Sequence, residues 1–229
     1  MNELGAFLPQ TNIAYFTMEL ALRVEVHTYS GGLGVLAGDT VRSCADLELP
    51  VVFVSPISRD GYFRQEIDPE GRQVEHPDPW DLERWAQPLA AMIGVKIEGR
   101  DVWVRPWLYV HKSEAGYAVP VLLLDTDLEQ NDPRDRQLTH FLYGGDVEYR
   151  LKQELLLGIG GVRILEALSF DIGTYHLNEG HAAFATVELL KRFPRRRRQN
   201  DKAEWSNTGK LTFTETEGTA TNTYVYLKK

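Results

Sequence analysis

Between Asn12 and Pro56 the chain reads as a strand, a glycine-rich turn, a helix and a second strand, and this unit limits the fold more than any other stretch. The run NIAYFTME (12–19) is apolar and β-rich, as in a strand inside a sheet. In LGVLAGDTVRSCADLE (33–48), Leu33, Leu36, Ala37, Val41, Cys44 and Ala45 recur at helical spacing. Pro50 breaks the chain, and VVFVSP (51–56) is a β-branched run of the kind covered on both faces. A helix joining two such strands is a crossover, so the strands are parallel and the crossover right-handed. The junction YSGGLG (29–34) is the anomaly. Glycine loses more backbone freedom on folding than any other residue, about 1 kcal/mol against alanine inside a helix.

Gly31, Gly32 and Gly34 lie where a strand ends and a helix begins. A helix N-terminus presents unpaired N–H groups and a partial positive charge, and bare backbone lets an anion or a sugar approach them. One reading is therefore a phosphate or sugar-phosphate cradle; the other is a tight strand-to-helix turn with structural glycines. The pattern is neither GxGxxG nor GxxxxGK[ST], so a dinucleotide site or a P-loop is not expected.

The rest of the chain continues an α/β layout. Residues 60–127 carry short strands, GYFRQEID (61–68), VKIEGRDVWVRPWLYV (95–110) and YAVPVLLLDTD (117–127), separated by turn signals. The segment 76–93 reads as loop plus a short helix, and 134–144 as another short helix. Residues 148–169 form the clearest helix, in which Gly158, Gly160 and Gly161 would let another backbone approach closely. TYHLNE (174–179) reads as a strand and 181–193 as the next helix. The expected fold is an α/β, mostly parallel sheet with an inserted β-rich segment. From Pro194 the character changes: Arg195–Arg198 is a cationic run, and 210–229 is Thr-rich and alternating, a hairpin turning at Glu217–Gly218.

Composition narrows the function classes. Net charge is −8 over 229 residues, which disfavours nucleic acid and anionic membranes as partners. The single cysteine, Cys44, allows no disulfide within the chain and reads as a small core residue. The N-terminal stretch has no cationic start or apolar core, and no apolar run is long enough to span a bilayer; the expected location is cytoplasmic.

Two further stretches carry candidate chemistry. In YHLNEGHAAF (175–184), strand alternation puts His176 and Asn178 on one face, and Glu179, Gly180 and His181 fall at the strand's C-terminal end. Ligands bind at that edge in open α/β sheets, so this junction and the glycine-rich one face one pocket. The spacing matches no zinc motif, so no metal is expected; His176 reads as a core histidine and His181 as functional. In LYGGDVEYRLKQE (142–154), Asp146 follows two glycines and Arg150 lies one helical turn on. That pair suits a gate over a polar ligand, and equally a helix cap with a surface ion pair.

IAYFTMEL, YSGGLGVLAGDTVRSCADLELP, RDGYFRQEID, LLLDTDLEQND, LYGGDVEYRLKQELLLGIGGVRIL and YHLNEGHAAF occur in that order. Together they resemble the N-terminal part of the α-glucan phosphorylases, the short bacterial and archaeal type most of all, over roughly residues 10–192. The resemblance implies two Rossmann-like domains facing across a cleft, the GT-B fold, with residues 1–193 as an incomplete first domain and the second absent. It implies phosphorolysis of α-1,4-glucan chain ends by inorganic phosphate to glucose 1-phosphate, and pyridoxal phosphate as cofactor. By the same resemblance, Gly31, Gly32 and Leu33 lie beside the phosphate and the transferred glucose, and His181 is the catalytic contact to the glucosyl unit. Asp146 belongs to the gate, Arg150 supports it, and Glu19 lines the site wall. The full-length enzyme is a possible homo-oligomer.

The departures from the family matter as much. Lys96, Lys112, Lys152 and Lys191 match no cofactor-anchoring motif, and the family places that lysine in the other domain. The pattern stops at Pro194, and the tail 194–229 reads as a truncation or a frameshift product. The chain alone is expected to be inactive and poorly soluble, with its cleft face uncovered. Two rivals stand beside this reading. A nucleotide-sugar glucan synthase shares the GGLG turn but carries a lysine where this chain has Tyr29. A non-catalytic glucan-binding module would use the tryptophans, Trp103 and Trp107 first, to stack on sugar rings.

Overall fold

In the computed structural model, which describes residues 3–192 and the strands Thr212–Phe213 and Tyr224–Lys228, the leading unit forms as the sequence dictates. Strand β1 (Ile13–Phe16) runs into helix α1 (Gly32–Asp46) and then β2 (Val51–Pro56). The two strands pair in parallel, Ile13 opposite Val51 through Phe16 opposite Val54. All of β2 is buried, as its unbroken apolar run requires of a strand covered on both faces.

Strands β3 (Arg64–Ile67) and β4 (Gln73–His76) make a separate exposed hairpin. Helix α2 (Leu82–Trp85), β5 (Gln87–Pro88), β6 (Ile93–Ile97), the long β7 (Arg100–Lys112) and β8 (Ala118–Asp125) complete the inserted β-rich segment. β8 joins β2 in parallel, while β7 runs antiparallel to β8, β5 and β6. The expected helix over 134–144 is shorter: α3 (Pro133–Arg136) passes into one tight turn that ends at Thr139.

The long helix spans α4 (Val147–Leu155), a π turn (Leu156–Gly160) and α5 (Gly161–Ala167). β9 (Thr174–Asn178) pairs in parallel with β1 on the side away from β2 and leads to α6 (Phe184–Arg192). β10 (Thr212–Phe213) and β11 (Tyr224–Lys228) pair antiparallel, and β11 runs antiparallel along β9. The expected turn at Glu217–Gly218, the arginine run and Trp205 lie outside the described residues.

The sheet order is β10-β11-β9-β1-β2-β8-β7-β5, with β6 added to β7, and helices cover both faces. Alternate residues of the central strands feed two cores. Ala14, Phe16, Val52, Val54, Leu122 and Leu124 meet Leu156, Leu157 and Leu165 of the long helix. Tyr15, Phe53, Val121 and Leu123 meet Ala37, Val41 and Cys44 of α1 on the other side. Each large apolar side chain so buried contributes about 1.5–3 kcal/mol. Cys44 is a core residue, as expected, and burial pushes its thiol up.

Of the three glycines of the long helix, Gly158 takes another backbone at close range as expected, while Gly161 takes side chains. A Cβ on Gly158 would lie 2.5 Å from the backbone nitrogen of Ala185, so α6 packs directly on bare backbone. One on Gly161 would lie 2.6 Å from the Phe16 ring. Gly160 differs, since its Cβ would meet the Val95, Val104 and Ile93 side chains at an ordinary 3.5–4.0 Å.

Candidate functional site at the strand C-termini

The C-terminal ends of β1 and β9 lie side by side, so the two junctions singled out in the sequence meet in space. After β1 the chain turns, with the Thr17 hydroxyl donating to the Glu19 carbonyl at 3.0 Å. Glu19 is 3% exposed and points back at the glycine-rich turn. Its Oε2 accepts from the N–H groups of Ser30 at 2.8 Å and Gly31 at 3.1 Å. The cradle expected at Gly31 is thus half filled by the protein's own carboxylate. What remains is the first turn of α1, from Gly32 and Leu33, whose N–H groups have no carbonyl one turn back to bond.

The glycines of the turn divide by what surrounds them. A Cβ on Gly34 would lie 2.4 Å from the Tyr29 Cβ and 3.0 Å from the Glu19 carboxylate. One on Gly38 would lie 2.3 Å from the Ala21 carbonyl oxygen. These two are demanded by packing. Gly31 and Gly32 would meet nothing within 4 Å. The structural explanation of the junction therefore holds for Gly34, while packing leaves Gly31 and Gly32 open.

On the neighbouring junction, Asn178 is fully buried, and its Nδ2 donates to the Thr17 hydroxyl at 3.1 Å, which ties β9 to β1. Asn178 Oδ1 and His181 Nδ1 are buried without a hydrogen-bond partner among the described residues. Two such atoms thus lie together at this edge of the sheet. Glu179 takes a left-handed backbone, φ 63°, between strand and helical turn. Such strain in a non-glycine residue persists where the surroundings impose it, and it gathers at functional sites.

Arg150 reaches across from α4. Its Nη2 donates to His181 Nε2, and its Nε pairs with Glu154 at 3.5 Å. An acceptor at Nε2 fixes His181 as the neutral imidazole. Burial and the adjacent guanidinium both push its pKa below the ordinary histidine value, against the opposite pull of Glu19.

Tyr143 closes the group. Its ring lies 5.4 Å from that of His181 and under the Arg150 guanidinium at 4.9 Å. Burial, followed by the carboxylate of Glu19 beside it, pushes its phenol far above the ordinary tyrosine value. Like Glu179 it has a positive φ, 55°. A cleft of about 380 Å³ opens beside it, lined by Tyr62, Phe63, Phe141 and Gly144 among others. Glu179 stands at the edge where the sequence put it; Tyr143 and Glu154 join the group but were not picked out from the sequence. The signal for Tyr143 was its place before the glycine pair of LYGGD.

Asp146 takes the second role open to it. It caps α4, its Oδ1 accepting from the Tyr149 N–H at 2.9 Å, and it is exposed. Arg150 pairs with Glu154 rather than with Asp146. His176 is half-buried and stacked on Tyr15 at 4.3 Å, as its core reading requires, and burial pushes its pKa down to about 4. Trp107 is no sugar platform: it is 5% exposed, and its indole N–H donates to Asp125 at 2.9 Å.

With this geometry in place, the chain can be set against known proteins. Over 185 residues it is 40% identical to a maltodextrin phosphorylase of Thermococcus litoralis, covering 78% of this chain. It is 40% identical over 192 residues to a glycogen phosphorylase of Mycobacterium tuberculosis, covering 79%. Over that stretch the chain is a homologue of the glycogen and maltodextrin phosphorylases. A glycogen phosphorylase of Aquifex aeolicus is 31% identical over 190 residues. The phosphorylase homologue spans 22% of the length of the first two relatives and 26% of the third. No family model matches the chain.

Pyridoxal phosphate needs a lysine as its covalent anchor, and the described residues offer none at this site. Lys96 pairs with Asp101, Lys112 with Glu3, Lys191 with Glu188, and Lys152 with Glu98 and Glu148. The residues present therefore do not fit that group as its anchor. No cluster of metal-ligating side chains occurs among the described residues, and no described helix is long and apolar enough to cross a membrane.

Proposed function

We propose that this chain is the glucan-side part of an α-1,4-glucan phosphorylase, built on the first domain of a GT-B fold and covering residues 1–193, with 194–229 as an atypical tail whose strands β10 and β11 extend that domain's sheet beside β9. The observation that carries the reading is the meeting of two strand-to-helix junctions. One is Glu19 locked onto Ser30 and Gly31; the other is Glu179 and His181, bridged to α4 by Arg150. The identity of 31–40% with phosphorylases supports it.

The reaction so proposed is attack of inorganic phosphate on the anomeric carbon of a terminal glucosyl unit, with departure of the shortened glucan. This chain's residues would bind and orient. His181 is neutral, with Nδ1 as a donor free for a sugar hydroxyl or for the charge developing on the ring. Gly32 and Leu33 offer open backbone N–H groups where the sugar and phosphate approach, and Gly31, its N–H held by Glu19, keeps that approach free of a side chain. Glu19 and Arg150 hold Tyr143 and His181 in register. Asp146 sets the start of α4 and hence the reach of Arg150. The cofactor pyridoxal phosphate would be anchored outside these residues, so no step is assigned to it here.

A second reading, a glucan-binding module without catalysis, stands beside it: Lys96, Lys112, Lys152 and Lys191 are each engaged in an ion pair away from the site. Both readings expect glucan to bind the chain. Both also expect no turnover by the chain alone: purified chain given maltoheptaose and phosphate should release no glucose 1-phosphate, while maltoheptaose should shift the His181 ring resonances. Release by the chain alone would refute the half-site assignment. A silent His181 would remove it from the glucan contact.

A further inference from the structure

Helix α4 brings more to the site than Arg150. Gln153 is 1% exposed, and its Nε2 donates to two carbonyls of the segment before the helix, Leu138 at 3.0 Å and Phe141 at 2.7 Å. Both amide hydrogens are thereby used, and Oε1 stays buried with no partner among the described residues. Turned over, the amide would set its oxygen against those two carbonyls, so Gln153 acts here as a donor only. One turn earlier, the Tyr149 hydroxyl donates to the Gln137 carbonyl at 2.6 Å and accepts from the Phe141 N–H at 3.5 Å. Burial pushes that phenol up to about 12, so it keeps its proton. The backbone N–H groups of Arg59 and Asp60 take the carbonyls of Thr139 and His140, at 3.1 and 2.8 Å. All five carbonyls from Gln137 to Phe141 therefore have a donor, three of them from two side chains of α4.

We propose that Gln153 and Tyr149 are positioning residues: their clasp on residues 137–141 fixes where Tyr143 stands and, through its ring, how Arg150 meets His181. Tyr143 follows the clasped segment almost at once, and shortly after it Asp146 caps α4 on the Tyr149 N–H. With both ends tied to one helix, the chain has to reverse within that short span, and it does so with φ 55° at Tyr143 and 69° at Gly145. A non-glycine residue keeps such a conformation only where its surroundings over-determine it. The ring so held lies 4.9 Å from the Arg150 guanidinium and 5.4 Å from the His181 ring, where it shields the imidazole and gives the guanidinium a face to rest on. Released, it would admit water to His181 and free Arg150 to turn away. Burial first and Arg150 second hold the His181 pKa below the ordinary value, with Glu19 pulling the other way, so both consequences would move it up. Gln153 and Tyr149 act through Tyr143 and need touch no ligand. What His181 does for a glucan rests on the phosphorylase reading; the clasp and its effect on the ring do not.

The test is an NMR pH titration of the His181 ring in the full chain, with no ligand present. Gln153→Met keeps the length of the side chain but donates nothing. Tyr149→Phe keeps the ring and the N–H that Asp146 caps, and drops only the hydroxyl. The native ring should titrate below about 6.5. Each variant should raise that midpoint by at least about half a pH unit, Gln153→Met by more. Val121→Ala, a cut in the core on the opposite face of the sheet, is the destabilised control and should leave the midpoint in place. An unmoved His181 midpoint in both variants, with urea midpoints lowered, would reduce the clasp to a structural role and overturn the inference. An equal rise in Val121→Ala would overturn it too, as would a native midpoint at the ordinary value. Should Gln153→Met not fold, Tyr149→Phe decides alone, since it removes one hydroxyl from a half-buried ring. Because no glucan is present, a His181 ring silent to maltoheptaose would count against the phosphorylase contact and leave the clasp standing.

Discussion

Replacing Gly34 by alanine separates the two kinds of glycine in the turn. On propensity alone the change stabilises, because alanine exceeds glycine by about 1 kcal/mol inside a helix. The structure reverses the sign. The new methyl would stand 2.4 Å from the Tyr29 Cβ and 3.1 Å from the Glu19 Cβ. Both neighbours are the first atoms of their side chains, so neither moves without its backbone. Overpacking of this kind costs about 1–3 kcal/mol, at times more. The net expectation is a loss of about 1–3 kcal/mol, together with loosening of Glu19 from the Ser30 and Gly31 N–H groups. Gly31→Ala and Gly32→Ala face open space, so they should stay within about 1 kcal/mol of native stability. Urea unfolding followed by far-UV dichroism measures this directly. With a slope of about 2 kcal/mol per molar, Gly34→Ala should move the midpoint down by about 0.5–1.5 M. An unchanged or raised midpoint for Gly34→Ala would refute the reasoning, as would Gly31 and Gly32 variants as unstable as it. If the open glycines serve a ligand, Gly32→Ala should weaken maltoheptaose or phosphate binding at unchanged stability.

The same contrast applies on the long helix: Gly158→Ala should destabilise by about 1–3 kcal/mol against α6, and Gly160→Ala should be neutral or gain up to about 1 kcal/mol, both read from urea midpoints. Removing Asp125 strands the half-buried Arg59, whose guanidinium pairs with it at 2.6 Å, and should cost about 3–5 kcal/mol in the same assay. His176 gives an acid dependence. Its folded pKa is about 4, so below the ordinary histidine value the unfolded chain takes up a proton that the folded one refuses. Stability is complete above about pH 6.5 and falls as pH drops toward 4. The partial exposure of the ring limits the loss to about 1–3 kcal/mol, and His176→Phe should flatten that part of the curve. Equal slopes for native and variant would rule out His176 as the source.

Local pattern carried much of this molecule. The β1–α1–β2 unit was legible because an unbroken apolar run, a period-3.6 run and a break at Pro50 leave few alternatives. The long helix was legible for the same reason, and its glycines foretold the close approach of α6. His181 and the glycine turn were legible as residues of unusual type at strand ends, and the order of six motifs tied them, with Glu19, to one family.

What the sequence did not hold was which atoms meet. Gly31 and Gly34 look alike in YSGGLG; only the placement of Tyr29 and Glu19 makes one open and the other obligatory. Asp146 suited gate and cap equally until the loop geometry put its carboxylate on the Tyr149 N–H. Trp103 and Trp107 are four residues apart with the same chemistry, yet one borders a groove and the other is sealed against Asp125. Tyr143 and Glu179 join the site from segments 36 residues apart in the chain, each in a backbone conformation that no local preference favours. Periodicity is a property of neighbours in sequence, and it sets elements. Convergence, strain and the partner of each polar atom belong to neighbours in space, and only the packed chain decides them.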